Sequence, residues 1–340
     1  MSQTVLIVGM DRPEALENCY RRAFLTLDWR VEFFDLAAAL RQTTRGGRVG
    51  YYLGQFVRFE PWLRKANRQL VIRALELQPD LVLTFTHPQL MPGALAQIKV
   101  ATHAHLVQIW PDTLANWEAA LSANLPVYDL VATYSSRSAP LLQRMGARHV
   151  IWLPLAGDPI LHARQDCSPA ERAAFGADVT FIGGWRQARE AILRQLTDFD
   201  LKIWGPEWDR RAKKDRAILQ RWQGRPLVGH EFAKAIQCSK INLNIIDPTN
   251  YPAANMRFFE IPTAGGLQVS SACPEMDSEF RLGEEIFYYQ NVDDLRGLLS
   301  HLLHNEQTRN RVSDAGHQLV IEKHTYVHRA KQILTALEGP

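Results

Sequence analysis

The sequence predicts an α/β protein made of two successive doubly wound parallel sheets. Three observations carry that prediction. The chain opens with an apolar strand, a helix and a second apolar strand; short apolar runs then alternate with helical periodicity; and the same strand, helix, strand order restarts beyond a proline-rich, aperiodic stretch.

In the first half, Val5 to Gly9 is an apolar run ending in glycine, Ala15 to Leu27 reads as a helix, and Arg30 to Asp35 reads as a strand. From Tyr52 to Leu77, apolar residues at positions 52, 56, 59, 63, 66 and 70 recur at helical steps, and Pro79 and Asp80 end the helix before the strand LVLTF. HLVQIW, DLVATY and HVIWLP supply three more strands, with a helical segment from Ala139 to Met145. The second half begins with ADVTFIGG, a strand that ends in Gly183 and Gly184, followed by a helix from Arg186 to Thr197 and the strand DLKIWG ending at Gly205. KINLNII, GLQVSS and IFYY continue that sheet, with helices at Met256 to Thr263, Val292 to Leu303 and Glu306 to Ile321. The segments are therefore a Rossmann-like domain over 1–155, a linker over 156–176, a second Rossmann-like domain over 177–322, and a final segment over 323–340.

Composition excludes several classes of function. The 340 residues are 46% hydrophobic and 22% charged, enough apolar content for a folded core and too little polar bias for disorder. A formal net charge of +3 argues against wholesale nucleic-acid binding. Cys19, Cys167, Cys238 and Cys273 are widely spaced and form no CxxC pair, so neither a zinc knuckle nor a disulfide framework is expected. No apolar run approaches the roughly 18 residues of a membrane span, and the N-terminus lacks a basic leader, so the expected location is the cytoplasm.

Open α/β sheets bind ligands beyond the carboxyl ends of their strands, so residues just after strands are weighed first. Arg186 and Arg189 open the helix that follows Gly183 and Gly184; cations at a helix N-terminus oppose the dipole unless an anion offsets them. Asn255, Arg257 and Glu260 lie on YPAANMRFFEIPTAGG, where an acidic side chain can accept two ribose hydroxyls and Gly265 and Gly266 allow close backbone approach. His87 and Asp112 follow the strands LVLTF and LVQIW, which makes them candidates for a catalytic base. GMDRP lacks the GxGxxG spacing of a dinucleotide site, although Asp35 ends the second strand, so a dehydrogenase is not expected. The basic stretch from Pro206 to Arg225, with Trp208 and Trp222, reads as a solvated helix rather than a phosphate site.

The segments DVTFIGGWRQARE, LKIWGPEW, INLNIIDPTNYPAANMRFFEIPTAGGLQVSS, EMDSEFRLGEEIFYYQNVDDL and EKHTYVHRAKQIL resemble the CgeB-like, spore-maturation type glycosyltransferases, relatives of the group 1 transferases of GT-B fold. The resemblance spans most of residues 178–335; the first half shares only its layout and the PDLVL and WPD segments. It implies two Rossmann-like domains facing across a cleft, a final helix over 323–340 that crosses back to the first domain, a nucleotide-diphosphate sugar as donor substrate on the second domain, an unidentified acceptor on the first, and no metal or other cofactor. It also implies that Glu260 holds the ribose, that the glycines after it meet the diphosphate or sugar, and that Arg189 contacts phosphate. One departure is Pro252, which stands where the group 1 pattern has a second glutamate, and Asn255 or Asp247 are the substitutes within reach in sequence. An epimerase or hydrolase acting on nucleotide sugars, or a binding subunit without turnover, are the competing functions.

Overall fold

A computed structural model of the chain describes residues 3–43 and 59–339. The helical periodicity at positions 52 and 56 lies outside the described residues. Contacts divide the chain into two compact units, Met1–Pro154 with Val327–Pro340, and Leu155–Tyr326.

The first unit is a six-stranded, all-parallel sheet. Its strands are β1 (Thr4–Val8), β2 (Arg30–Phe34), β3 (Leu81–Thr84), β4 (His105–Trp110), β5 (Leu130–Thr133) and β6 (Val150–Trp152), in the order β2-β1-β3-β4-β5-β6. Every residue of β1, β3 and β5 is buried, as strands covered on both faces must be. The covering helices are α1 (Leu16–Thr26), α2 (Leu36–Thr43), α3 (Glu60–Leu77), α4 (Pro92–Thr102) and α5 (Ala139–Arg144). Helix α3 starts at the proline-marked end expected of a first turn and stops at Gln78 in the left-handed conformation. Its Leu63, Ala66, Leu70, Val71 and Ala74 are buried, and all but Leu63 join a core with Leu6, Val8 and Val82 from the sheet.

The second unit is a five-stranded parallel sheet of β7 (Val179–Ile182), β8 (Leu201–Trp204), β9 (Ile241–Asn244), β10 (Gln268–Ser271) and β11 (Phe287–Tyr289), ordered β11-β10-β9-β7-β8. Around it lie α6 (Pro169–Phe175), α7 (Gln187–Leu193), α8 (Gly229–Cys238), α9 (Met256–Thr263), α10 (Val292–Leu303) and α11 (Glu306–Lys323). The last helix, α12 (Tyr326–Glu338), falls almost wholly in the first unit, where the Arg329 guanidinium, 2% exposed, donates to the Pro154 carbonyl at 2.8 Å.

Three expectations need correction. The aperiodic stretch before β7 holds a short helix, α6, whose Ser168 and Glu171 form a reciprocal capping box; the signal was in the sequence as S-P-A-E. The cysteines do form a bridge: Cys167, just before α6, is bonded to Cys238 at the end of α8, with Cα atoms 5.9 Å apart. A separation of 71 residues carries no trace of that proximity, which arises because α6 packs on α8. The tryptophans of the basic stretch are props rather than solvated groups. The Trp208 indole donates to the Gly183 carbonyl at 2.9 Å, and that of Trp222 to Gly205 at 3.0 Å. No helix among the described residues is long and apolar enough to cross a membrane.

Candidate functional site

In a parallel sheet the chain leaves β1 to one side and returns on the other, so the connections on either side of the reversal diverge and open a crevice. In the second unit that reversal lies between β7 and β9, and the candidate residues gather there. Arg189, in the first turn of α7, spans it: Nε donates to the Ile245 carbonyl beyond β9 at 3.1 Å, and Nη1 to the Gly184 carbonyl beyond β7 at 2.8 Å. Arg257 donates from Nε to the Ile182 carbonyl at 3.1 Å, lies 4.5 Å over the Phe232 ring, and pairs with Glu260 one turn on. Arg186 reaches Asp247 at 3.3 Å. Gly205 closes the neighbouring strand end at a φ of 145°, where a Cβ would stand 2.0 Å from the Gly183 carbonyl oxygen; β7 and β8 can approach this closely only through glycine.

Electrostatics make the cluster receptive to an anion. Burial drives the Arg189 guanidinium below its ordinary range; Asp247 opposes that shift, while Arg186 and Arg257 reinforce it. Burial also disfavours the charged form of Asp247, but hydrogen bonds from Thr249 and the charges of Arg189 and Arg186 outweigh it and hold that carboxyl below its usual range. Guanidiniums do not lose their protons at physiological pH, so a buried Arg189 crowded by two further guanidiniums is relieved by a bound anion. Asn255 caps α9 by accepting from the Phe258 amide at 3.1 Å, and it exchanges hydrogen bonds with Asn244 of β9 at 3.1 and 2.9 Å. That pairing fixes the N-terminus of α9 at the same strand ends. Glu260 is 4% exposed and faces Arg257, a carboxylate held in place with lone pairs to spare.

Gly265 and Gly266 are not in this cluster. A helix that begins at the carboxyl edge of a sheet must end at the amino edge, and both glycines follow α9 on the approach to β10. The expectation that they meet the diphosphate is corrected on that ground. Gly183 and Gly184 do lie at the strand ends beside Arg189.

In the first unit the reversal lies between β1 and β3. His87, beyond β3, is 7% exposed, and its ring is hydrogen-bonded to the Val8 backbone at the end of β1. Its Nε2 is enclosed, without a hydrogen-bond partner among the described residues, and stands 3.8 Å from Glu17 Oε1. Glu17, from α1, accepts from the Met10 amide at 3.2 Å. Burial pushes the His87 pKa down and the Glu17 pKa up, so both groups favour their neutral forms. Nothing in the sequence marks Glu17, which with Glu14 is one of two acidic residues in the segment EALE. Asp112, beyond β4, is half-buried; its Oδ1 accepts from the Thr113 amide and its Oδ2 from Asn116 Nδ2, each at 2.7 Å. The carboxylate is thereby fixed in orientation at a strand end.

Residues 186–335 match the model of the glycosyl transferase-like family. No curated protein matches the chain. Among solved structures, HepE of Anabaena in complex with UDP-glucose is similar over 99% of this chain and 100% of its own, at 14% identity and a TM-score of 0.66. A sucrose-phosphate synthase of Thermosynechococcus elongatus covers 99% of this chain with 98% of its own, at 12% identity and a TM-score of 0.64. A glycosyltransferase of Rickettsia africae does so with the same coverage, at 9% identity and a TM-score of 0.65. The chain has the GT-B fold of two Rossmann-like units, and its segment 186–335 is similar to the glycosyl transferase-like family.

Proposed function

We infer that the protein is a glycosyltransferase of the CgeB-like type, moving a hexosyl group from a nucleoside diphosphate to an acceptor hydroxyl without a metal ion. The observation that carries this reading is Arg189 bridging the ends of β7 and β9, with Arg186 and Arg257 beside it. In this reading the three guanidiniums take the diphosphate, the capped N-terminus of α9 adds its first-turn amides, and Glu260 accepts the ribose hydroxyls. The base of the nucleotide is taken as uracil for a first test, because HepE is bound to UDP-glucose and to UDP.

Bond breaking at the sugar C1 leaves an electron pair on the diphosphate oxygen. Preorganised cations at that oxygen stabilise the charge as it develops, and this is the role a metal ion would otherwise fill. The acceptor hydroxyl attacks C1, and its proton passes to a carboxylate in an inverting reaction. Of the two candidates in the first unit, Asp112 is the accessible one, since the free nitrogen of His87 is enclosed against Glu17. We place the protein in the cytoplasm, where nucleotide sugars are made.

Incubating the purified protein with a panel of nucleotide sugars and candidate acceptors tests the reading. A glycosyltransferase gives a glycosylated acceptor and free nucleoside diphosphate. Sugar conversion without acceptor would make the protein an epimerase, and binding without product would make it a carrier subunit.

A further inference from the structure

The glycine pair that follows α9 has a place of its own. Gly265 and Gly266 form part of the floor of a cavity of about 420 Å³ at the amino edge of the second sheet, the edge opposite to the arginine cluster. Four cations line it: Arg164, Arg172, Lys240 and Arg309. Against them stand two acids, Glu306 and Asp314.

Both glycines are required by what lies next to them. Gly265 has a φ of 77°, and a Cβ there would stand 2.7 Å from the Arg164 side chain. A Cβ on Gly266 would be 2.3 Å from Ile236 and 2.7 Å from Asn242. Bare backbone therefore lets Arg164 lie against the loop and keeps this part of the cavity open. The lining is not self-neutralised. Asp314 pairs with Arg164 at 2.7 Å, and Lys240 reaches Asp178 at 2.8 Å, but the Arg172 guanidinium has no partner among the described residues. The Gln237 side chain donates to the Ala264 carbonyl at 2.6 Å, while its Oε1 is buried without a partner.

We propose that this cavity binds a small phosphorylated anion carrying two or more negative charges, at a site separate from the one proposed for the donor. The cations attract the phosphates, Arg172 supplies the unsatisfied fork, and the Gln237 carboxamide with Ser313 and Asn310 offers hydrogen bonds to a polar remainder. The cavity touches the residues immediately after α9, and the other end of that helix carries Asn255. The cavity thus lies one helix length from the arginine cluster.

Inorganic pyrophosphate is the probe, titrated calorimetrically into the wild-type chain, Arg189→Ala, and the double variant Arg172→Ala with Lys240→Ala. The proposal expects binding that persists in Arg189→Ala and weakens by about tenfold or more in the double variant, both altered groups being exposed. A second measurement needs no variant. Pyrophosphate should slow acetylation of Lys240 while leaving Lys202, which donates to the Ala174 carbonyl outside the cavity, unchanged. Absence of binding, binding undiminished in the double variant, or acetylation of Lys240 indifferent to pyrophosphate would each overturn the proposal.

Discussion

At the reversal point of the first sheet, burial pushes His87 and Glu17 toward their neutral forms; at that of the second, three guanidiniums stand together and stay charged. The topology at the two places is the same, a parallel sheet whose order reverses beside its first strand. What differs is how the polar groups are satisfied. Arg189 and Arg257 are held by carbonyls at or just beyond the ends of β7 and β9, so desolvation is offset by hydrogen bonds while the charge remains. In the first unit a single backbone contact holds the imidazole, and its second nitrogen is left facing a carboxyl at 3.8 Å. In the proposed reading the charged crevice takes the anion and the neutral one the acceptor hydroxyl. The glycosyltransferase reading needs that division, with diphosphate on one unit and acceptor on the other.

The strongest way to break the comparison is to remove the proposed base from the first unit. Asp112→Asn is expected to lower kcat about a hundredfold or more while leaving the donor KM within a factor of about two, because a base acts on the transition state and the donor is held elsewhere. Steady-state kinetics with varied donor check this; a raised donor KM at unchanged kcat would move Asp112 out of the base role. A smaller effect is expected in the second unit. Glu260→Gln should weaken uridine and UDP alike by about ten- to a hundredfold, the usual cost of a hydrogen bond to a charged group. Unaltered affinities in the folded variant would remove the ribose contact.

The smallest effect sharpens the contrast in charge. A His87 pKa lowered by burial means that the unfolded chain binds more protons than the folded one just below pH 6.5. The wild type should lose stability as pH falls through that value, an effect partly countered by Glu17, whose raised pKa favours the folded state as pH falls toward the ordinary carboxyl range. Asp35, which pairs with Arg41 at 3.7 Å, adds attraction for the His87 imidazolium that offsets part of the effect of burial. In His87→Asn the loss between pH 7.5 and 5.5 should be smaller than in the wild type, measured by urea unfolding at each pH. Equal losses would mean that His87 titrates as it does in the unfolded chain.

Much of the architecture was legible because apolar runs and helical spacing recur twice, and the strands begin and end within a residue or two of where those patterns place them. Helices α4 and α8 were not. PGALAQIKVAT is apolar on most sides and shows no amphipathic stripe, and GHEFAKAIQC, though amphipathic, is short and opens with glycine, which masks its start. At the site, position after a strand was enough to nominate Arg186, Arg189, His87 and Asp112. Pairing was not readable: nothing in the spacing of Glu17 and His87, Asn244 and Asn255, or Cys167 and Cys238 announces that they meet. The glycine pair shows the reverse error, a motif given a role by its neighbours in sequence when the direction of α9 carries it to the other edge of the sheet.

The central claim is that the arginine cluster of the second unit holds a nucleoside diphosphate. Calorimetric titration of the wild type and Arg189→Ala with uridine and with UDP tests it most directly. The account predicts that Arg189→Ala binds uridine as the wild type does and UDP about ten- to a hundredfold more weakly, since only the diphosphate loses a charged partner. Equal losses for both ligands, or none for either, would contradict it.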